Sequence, residues 1–286
     1  MPLTRTVTKN TGLLVSIRNA AEARIAVASN CVSIIDLKEP ANGSLGSVSI
    51  SVAIEVADEL PANTVKSIAL GEVIDWPIWP ETETSSTYEV LSRFNYAKVG
   101  LSGLADDPSW RTRWKDCLAE IPAGVERVAV AYADSNRAGS PLVESTIESA
   151  GEVGCSVLLI DTFNKSDGGL LDWIETKKLS AIVRRAQEHG LKVVLAGSLG
   201  LAEIKVVKNA APDYIAVRGA VCSGDRTSTI VSEKITAVSD KALASNDCAS
   251  DHNLTRNSTD HRKLFVVPPL GGMKLLPAKA GTTNLK

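Results

Sequence analysis

Short runs of aliphatic and β-branched residues alternate along the chain with longer stretches whose apolar positions recur at helical spacing. The runs are LLVSIRN (13–19), SIIDLKE (33–39), VKSIALGE (65–72), YAKVGL (96–101), VERVAVAYAD (125–134), CSVLLIDTF (155–163), LKVVLAGSL (191–199) and YIAVRGAVC (214–222). Most are apolar on both faces, the mark of parallel strands covered by helices. The intervening segment LLDWIETKKLSAIVRRAQEHG predicts an amphipathic helix that ends on Gly190 as a C-cap.

Eight strand-then-helix units in about 230 residues predict an α/β fold, a closed (β/α)8 TIM barrel, whose usual size is about 250 residues. An open doubly wound sheet would commonly carry a GxGxxG turn after an early strand, and the sequence has none. The barrel is expected as a single domain over residues 12–238, after an N-terminal segment 1–11. From Ser239 the text turns polar and aperiodic, and a stretch rich in Pro and Gly, LFVVPPLGGMKLLPAKAG, follows. Residues 239–286 are therefore expected to be a C-terminal extension, linker first and surface-docked segment second.

The 286 residues carry a formal net charge of -2, which argues against nucleic acid and acidic membranes as partners. No apolar run reaches the roughly 20 residues of a membrane span, and MPLTRTVTKNTG lacks the apolar core of a secretory signal. Five scattered cysteines without CxxC spacing read as small buried residues of a reducing compartment, so a cytoplasmic location is expected. The three histidines form no ligand-like spacing; neither a metal nor a cofactor is expected.

Barrel chemistry is built at the C-terminal ends of the strands. Reactive residues collect there: Asp36 and Lys38 after strand two, Glu72 after strand three, Lys98 near the end of strand four, Asp134 after strand five, Asp161 and then Lys165 around the end of strand six, and Arg218 near the end of strand eight. Period two places Asp36 and Lys38 on one side of their strand. If that side faces the axis, both project into the barrel mouth. Three lysines and two aspartates at one rim are costly to bury unless they serve a site.

Lysines suit amine catalysis, which needs an unprotonated amine able to form an imine with a carbonyl substrate. Burial and neighbouring lysines lower the pKa, whereas aspartates raise it, so the sequence leaves open which amine is free. The other lysines could move protons, with Asp36 and Asp161 positioning them.

Small Gly/Ser loops follow strand seven, AGSLG (196–200), and strand eight, RGAVCSG (218–224), where many barrels hold a phosphate on backbone N–H groups. Gly197, Ser198, Arg218 and Gly219 are the candidates there. A second copy, NGSLG (42–46), adds Gly43, Ser44 and Gly46 and raises the expectation of two phosphorylated ligands bound together. WPIWPETET (76–84) is a candidate lid.

LLVSIRNAAEA, IIDLKEPANGSLG, YAKVGLSG, AVAYADSNRAG, LLIDTFNKSDGGLLDW, LAGSL and VRGAVCSGDR occur in order from about residue 12 to 238. Together they resemble the (5-formylfuran-3-yl)methyl phosphate synthase family. The combination of D-x-K-x-P, a K-V-G strand end and D-T-x-x-K carries the resemblance; the tail lies outside it. It implies a TIM-barrel lyase that condenses two glyceraldehyde 3-phosphate molecules into a furan aldehyde phosphate, releasing phosphate and water, for methanofuran biosynthesis. It further implies Lys38 as the Schiff-base residue, Lys98 as proton acceptor, Lys165 as a further acid/base, and Asp36 and Asp161 as active-site carboxylates. A homo-oligomer is expected. The same lysines fit another Schiff-base phosphosugar aldolase, and a non-catalytic barrel that binds phosphometabolites is the reading from a different class.

Overall fold

A computed structural model of the protein describes residues 11–77, 79 and 84–243. Eight strands alternate with helices: β1 (Gly12–Ile17), α1 (Ala20–Ala28), β2 (Ile34–Leu37), α2 (Ile50–Glu59), β3 (Lys66–Glu72), α3 (Thr84–Leu91), β4 (Tyr96–Gly100), α4 (Trp110–Ala119), β5 (Glu126–Tyr132), α5 (Ser135–Ala138), α6 (Val143–Ala150), β6 (Cys155–Asp161), α7 (Leu170–Trp173), α8 (Thr176–Glu188), β7 (Lys192–Leu195), α9 (Leu201–Val207), β8 (Tyr214–Val217) and α10 (Ser232–Leu243). The strands pair in parallel in chain order and β8 closes on β1, the TIM barrel that the pattern of runs predicts.

Alternation along each strand sorts side chains between two cores. Residues such as Val15, Ile35, Ile68, Val99, Leu158, Val193 and Ile215 point outward and are buried against the helices. Their neighbours Leu14, Ile34, Ala69, Val128, Val157, Leu159, Val194 and Ala216 fill the lumen. Asp36, Lys98 and Asp161 keep the lumen parity of Ile34, Tyr96 and Leu159, two residues further along their strands. The lower lumen is thus apolar and its upper end charged.

The α8 helix illustrates how the shell forms. Leu179, Ile182, Val183 and Ala186 make one buried stripe. Gly190, at φ 79°, ends it as expected: its N–H donates to the Gln187 carbonyl and the Leu191 N–H to the Ala186 carbonyl, a Schellman closure that a left-handed glycine permits.

One boundary differs from the sequence reading. The expected end of the pattern at Ser239 falls inside α10, where Ile235, Val238, Ser239 and Ala242 form a continuous buried stripe. Ser239 and Ala242 are small enough to pack against the barrel, and small residues give a weak periodic signal. The rest of the expected extension, residues 244–286, and most of segment 1–11 lie outside the described residues, as do 78 and 80–83 of the candidate lid. Trp79, from that segment, is buried and its Nε1 donates to the Val48 carbonyl at 3.0 Å. No described helix is long and apolar enough to cross a membrane.

Candidate active site

The strand ends bring the five charged residues into a buried Lys98–Asp36 pair and a partly buried Lys165–Asp161 pair, with Lys38 beside them. Asp36 is fully buried; it accepts from Lys98 Nζ at 2.5 Å and from Ser16 Oγ at 2.9 Å. Ser16 faces Asp36 because β1 and β2 align them in register. Across the mouth, Asp161 accepts from Lys165 Nζ, from the Ser44 hydroxyl at 3.3 Å and from the Thr162 N–H at 2.8 Å. Lys165 also donates to the Thr162 carbonyl at 2.5 Å and its hydroxyl at 3.1 Å.

Lys38 differs from both. Its Nζ donates only to the Ser44 carbonyl, at 3.3 Å, and it forms no ion pair among the described residues, although it is just 7% exposed. Burial drives its pKa down to about 8; Lys98 and Lys165 push it the same way against the pull of Asp161 and Asp36. At pH 7 about one amine in ten is then neutral, against well under one in a thousand at the ordinary value. Burial also works against ionisation of Asp161, but the Lys165 and Lys38 cations outweigh it and hold the carboxyl at about 2. Asp36 follows the same logic: burial opposes its charge, Lys98 and Lys38 prevail, and its pKa is lowered. Lys165 is itself lowered by burial despite Asp161.

A cavity of about 220 Å³ opens over this cluster. Lys38, Asp161, Lys165 and Ser16 line it together with Gly197, Ser198, Arg218, Gly219 and Arg226. That volume lies below the roughly 300–1,000 Å³ of pockets for drug-sized ligands and suits a small metabolite. The Asp36–Lys98 pair is not on its wall; Lys98 borders the apolar lumen beneath.

The Gly/Ser loops divide in two. The loops after β7 and β8 line the cavity, and the N–H groups of Ser198, Leu199, Gly219 and Ala220 have no acceptor among the described residues. Ser198 holds a left-handed φ of 53° and Gly197 one of 105°. The loop after β2 does something else. Ser44 Oγ donates to the Thr162 carbonyl at 2.9 Å, Leu45 is buried in the lumen core, and a Cβ on Gly46 would sit 2.1 Å from the Glu39 carbonyl. Gly43, Ser44 and Gly46 are outside the cavity lining; in this structure the loop braces the barrel mouth and supports Lys38 through the Ser44 carbonyl.

Arg218 also departs from expectation. All five of its N–H donors are used inside the protein: by Glu22 through both terminal nitrogens, by the Ser16 carbonyl at 3.1 Å, by the Arg226 carbonyl at 2.9 Å and by the Ser228 carbonyl at 2.8 Å. Its guanidinium is a clamp on the loop after β8 and has nothing left for a ligand.

Two further strand-end carboxylates are positioning residues. Asp134 is buried and accepts the Phe163 and Asn164 N–H groups at 2.7 and 2.9 Å, which fixes the loop that carries Lys165. Asp134→Ala leaves both donors without that acceptor; the expected loss is about 2–4 kcal/mol in urea unfolding, with lowered turnover from a wandering Lys165. Glu72 accepts from Tyr132 at 2.5 Å and from the Ser102 N–H at 2.9 Å, away from the lysines. The glycine of K-V-G, Gly100, lies against that pair: a Cβ there would sit 2.1 Å from Glu72 Oε2, so a larger residue would have to displace the Glu72–Tyr132 contact.

Ser16, Glu22, Tyr132 and Arg226 were not singled out by residue type or spacing. Ser16 carried a usable signal, a lone polar residue at a lumen position in an apolar run; Arg226 did not. Among the described residues no group of His, Cys, Asp and Glu could hold a metal ion. Cys117 and Cys155 are pushed up to about 12 by burial and are poor nucleophiles.

The family profile described as 4-HFC-P synthase matches residues 13–239. The chain belongs to that family. A relative from Methanopyrus kandleri, named (5-formylfuran-3-yl)methyl phosphate synthase, is 34% identical over 237 residues, covering 81% of this chain and 98% of the relative. A protein of the same name from Methanococcus aeolicus is 34% identical over 236 residues, covering 78% and 95%. Among solved structures, phosphoribosyl anthranilate isomerase from Thermotoga maritima superposes with a TM-score of 0.56 at 14% identity, covering 81% of this 4-HFC-P synthase family member and 98% of that chain. Orotidine 5′-phosphate decarboxylase from Pyrococcus horikoshii gives 0.51 at 16%, covering 80% and 99%. Identities this low speak to the fold alone.

Proposed function

We propose that the chain is a (5-formylfuran-3-yl)methyl phosphate synthase that joins two glyceraldehyde 3-phosphate molecules through an imine on Lys38, a lyase of methanofuran biosynthesis. The observation that carries the reading is the isolation of Lys38: of three lysines at one rim, two buried and Lys165 half-buried, it alone lacks a carboxylate partner among the described residues, and it lines the cavity. Its neutral amine attacks the aldehyde carbon, the carbonyl oxygen leaves as water, and the resulting imine stabilises loss of a proton from the adjacent carbon. Lys165, on the cavity wall with Lys38, is placed to donate and accept protons; Asp161 holds it in place. Lys98, implied by the family resemblance as a proton acceptor, contributes at this geometry by charge, since its cation weakens the basicity of Lys38. The free amides after β7 and β8 provide a cradle for a substrate phosphate.

The test is incubation with glyceraldehyde 3-phosphate and borohydride, followed by peptide mass mapping. A reduced adduct on Lys38, together with a furan-absorbing product in the absence of borohydride, is the expected result. Adducts scattered over surface lysines, or an aldol product without a furan chromophore, would remove the proposal. A pH profile gives an independent check. Because the reactive form is the deprotonated amine and burial lowers its pKa to about 8, kcat/KM is expected to rise with pH, close to tenfold per unit below that value, and to level off above it.

A further inference from the structure

The loop after β8 carries a second arginine whose situation is the reverse of Arg218. Arg226 is half-buried and lines the cavity together with Lys38 and Lys165. Of its five N–H donors one has an acceptor among the described residues, Nη2 to the Gly43 carbonyl at 3.2 Å, and no described carboxylate forms an ion pair with it. Its four other donors are available to an anion in the cavity, where a charge-assisted hydrogen bond to a guanidinium is strong.

The protein holds this loop rigidly. Arg218 donates to the carbonyls of Arg226 and Ser228, and Arg18 to the carbonyl of Thr227. The Asp225 carboxylate accepts the Thr227 N–H at 2.8 Å and closes a local turn. Arg218 in turn is neutralised by the buried Glu22, and Arg18 by Glu39 at 2.9 Å. Two arginines with carboxylate partners thus fix the backbone that presents a third arginine without one. The cavity wall gathers Lys38, Lys165 and Arg226 against Asp161, while the charge of Arg218 is balanced by Glu22. An excess of positive charge beside free amides suits a phosphate, and a planar guanidinium can grip two of its oxygens at once.

We infer that Arg226 binds the phosphate of the substrate and sets the preference for phosphorylated over unphosphorylated aldehydes. This rests on the reading of the cavity as an aldehyde phosphate site, but the binding step is separable from imine chemistry. Lys38 forms the bond; Arg226 selects what reaches it.

The experiment is calorimetric titration of the full chain with glycerol 3-phosphate, an unreactive triose phosphate analogue that cannot form an imine. Arg226→Gln is expected to weaken Kd about 10- to 100-fold, the effect of one lost charge-assisted contact, with Arg226→Lys intermediate. In parallel, borohydride trapping at Lys38 with unphosphorylated glyceraldehyde is expected to stay within about twofold of wild type in Arg226→Gln, which a general loosening of the site would not allow. Unchanged affinity for glycerol 3-phosphate in Arg226→Gln, no binding by the wild type, or a loss of glyceraldehyde trapping equal to the loss of glycerol 3-phosphate affinity would overturn the inference. Failure of wild-type Lys38 to trap any aldehyde while Arg226→Gln still loses glycerol 3-phosphate would sink the imine mechanism and leave Arg226 as the anion contact.

Discussion

Lys38→Ala is expected to lower turnover of glyceraldehyde 3-phosphate by roughly 10⁴-fold or more and to abolish the borohydride adduct, while the protein unfolds at close to the wild-type urea concentration. The size of the effect follows from covalent catalysis, since no other described amine combines cavity access with the absence of an ion pair. Stability should change little because Lys38 makes one long hydrogen bond, to the Ser44 carbonyl at 3.3 Å. Removing it relieves a buried cation at the same time. Lys38→Arg keeps the charge but has no accessible neutral form, so it should be as inactive as the alanine variant. A Lys38→Ala protein that retained most of its activity would move the nucleophile to Lys165 or out of this cluster altogether.

The second large effect concerns folding. Asp36→Leu leaves the Lys98 ammonium, 3% exposed, without its carboxylate in the upper lumen and deprives Ser16 Oγ of its acceptor. Breaking a buried pair by removing one partner costs about 3–5 kcal/mol, because an uncompensated charge remains out of water. Asp36→Leu combined with Lys98→Met removes both charges and should recover most of that loss, whereas neither variant should recover activity, since the cation that helps to lower Lys38 is lost or displaced. Urea unfolding of the two single variants and the double variant measures this directly. If Asp36→Leu alone were as stable as wild type, the Asp36–Lys98 pair would not be a committed ion pair.

Much of this molecule is legible from local pattern. The eight runs became eight strands, and Gly190 ended its helix as a C-cap, because periodicity and turn chemistry act over a few residues. The same parity argument that sets Asp36 and Lys38 on one side of β2 applies at Lys98 and Asp161, so the charged rim is legible from the sequence. Where the reading faltered, the residues were ambiguous in kind. NGSLG and AGSLG are nearly the same text, yet the first is sealed across the barrel by Ser44 and Leu45 and the second lines the cavity. Arg218 and Arg226 are eight positions apart on one loop, and residue type could not say which was a clamp. Ser239 looked like the start of a linker because a small buried serine resembles an exposed one.

The sequence alone determined the architecture and the membership of the rim, since strand period, helix stripes and two-residue alternation are properties of neighbours along the chain. The tertiary structure decided the electrostatics: which lysine is unpaired, which carboxylate holds which amine, and which arginine is left free. Those outcomes depend on contacts between residues 62 apart for Lys98 and Asp36, 117 for Ser44 and Asp161, and 196 for Arg218 and Glu22. Charge pairing in a buried space falls off with distance and is governed by burial, and both quantities exist only once the barrel has closed.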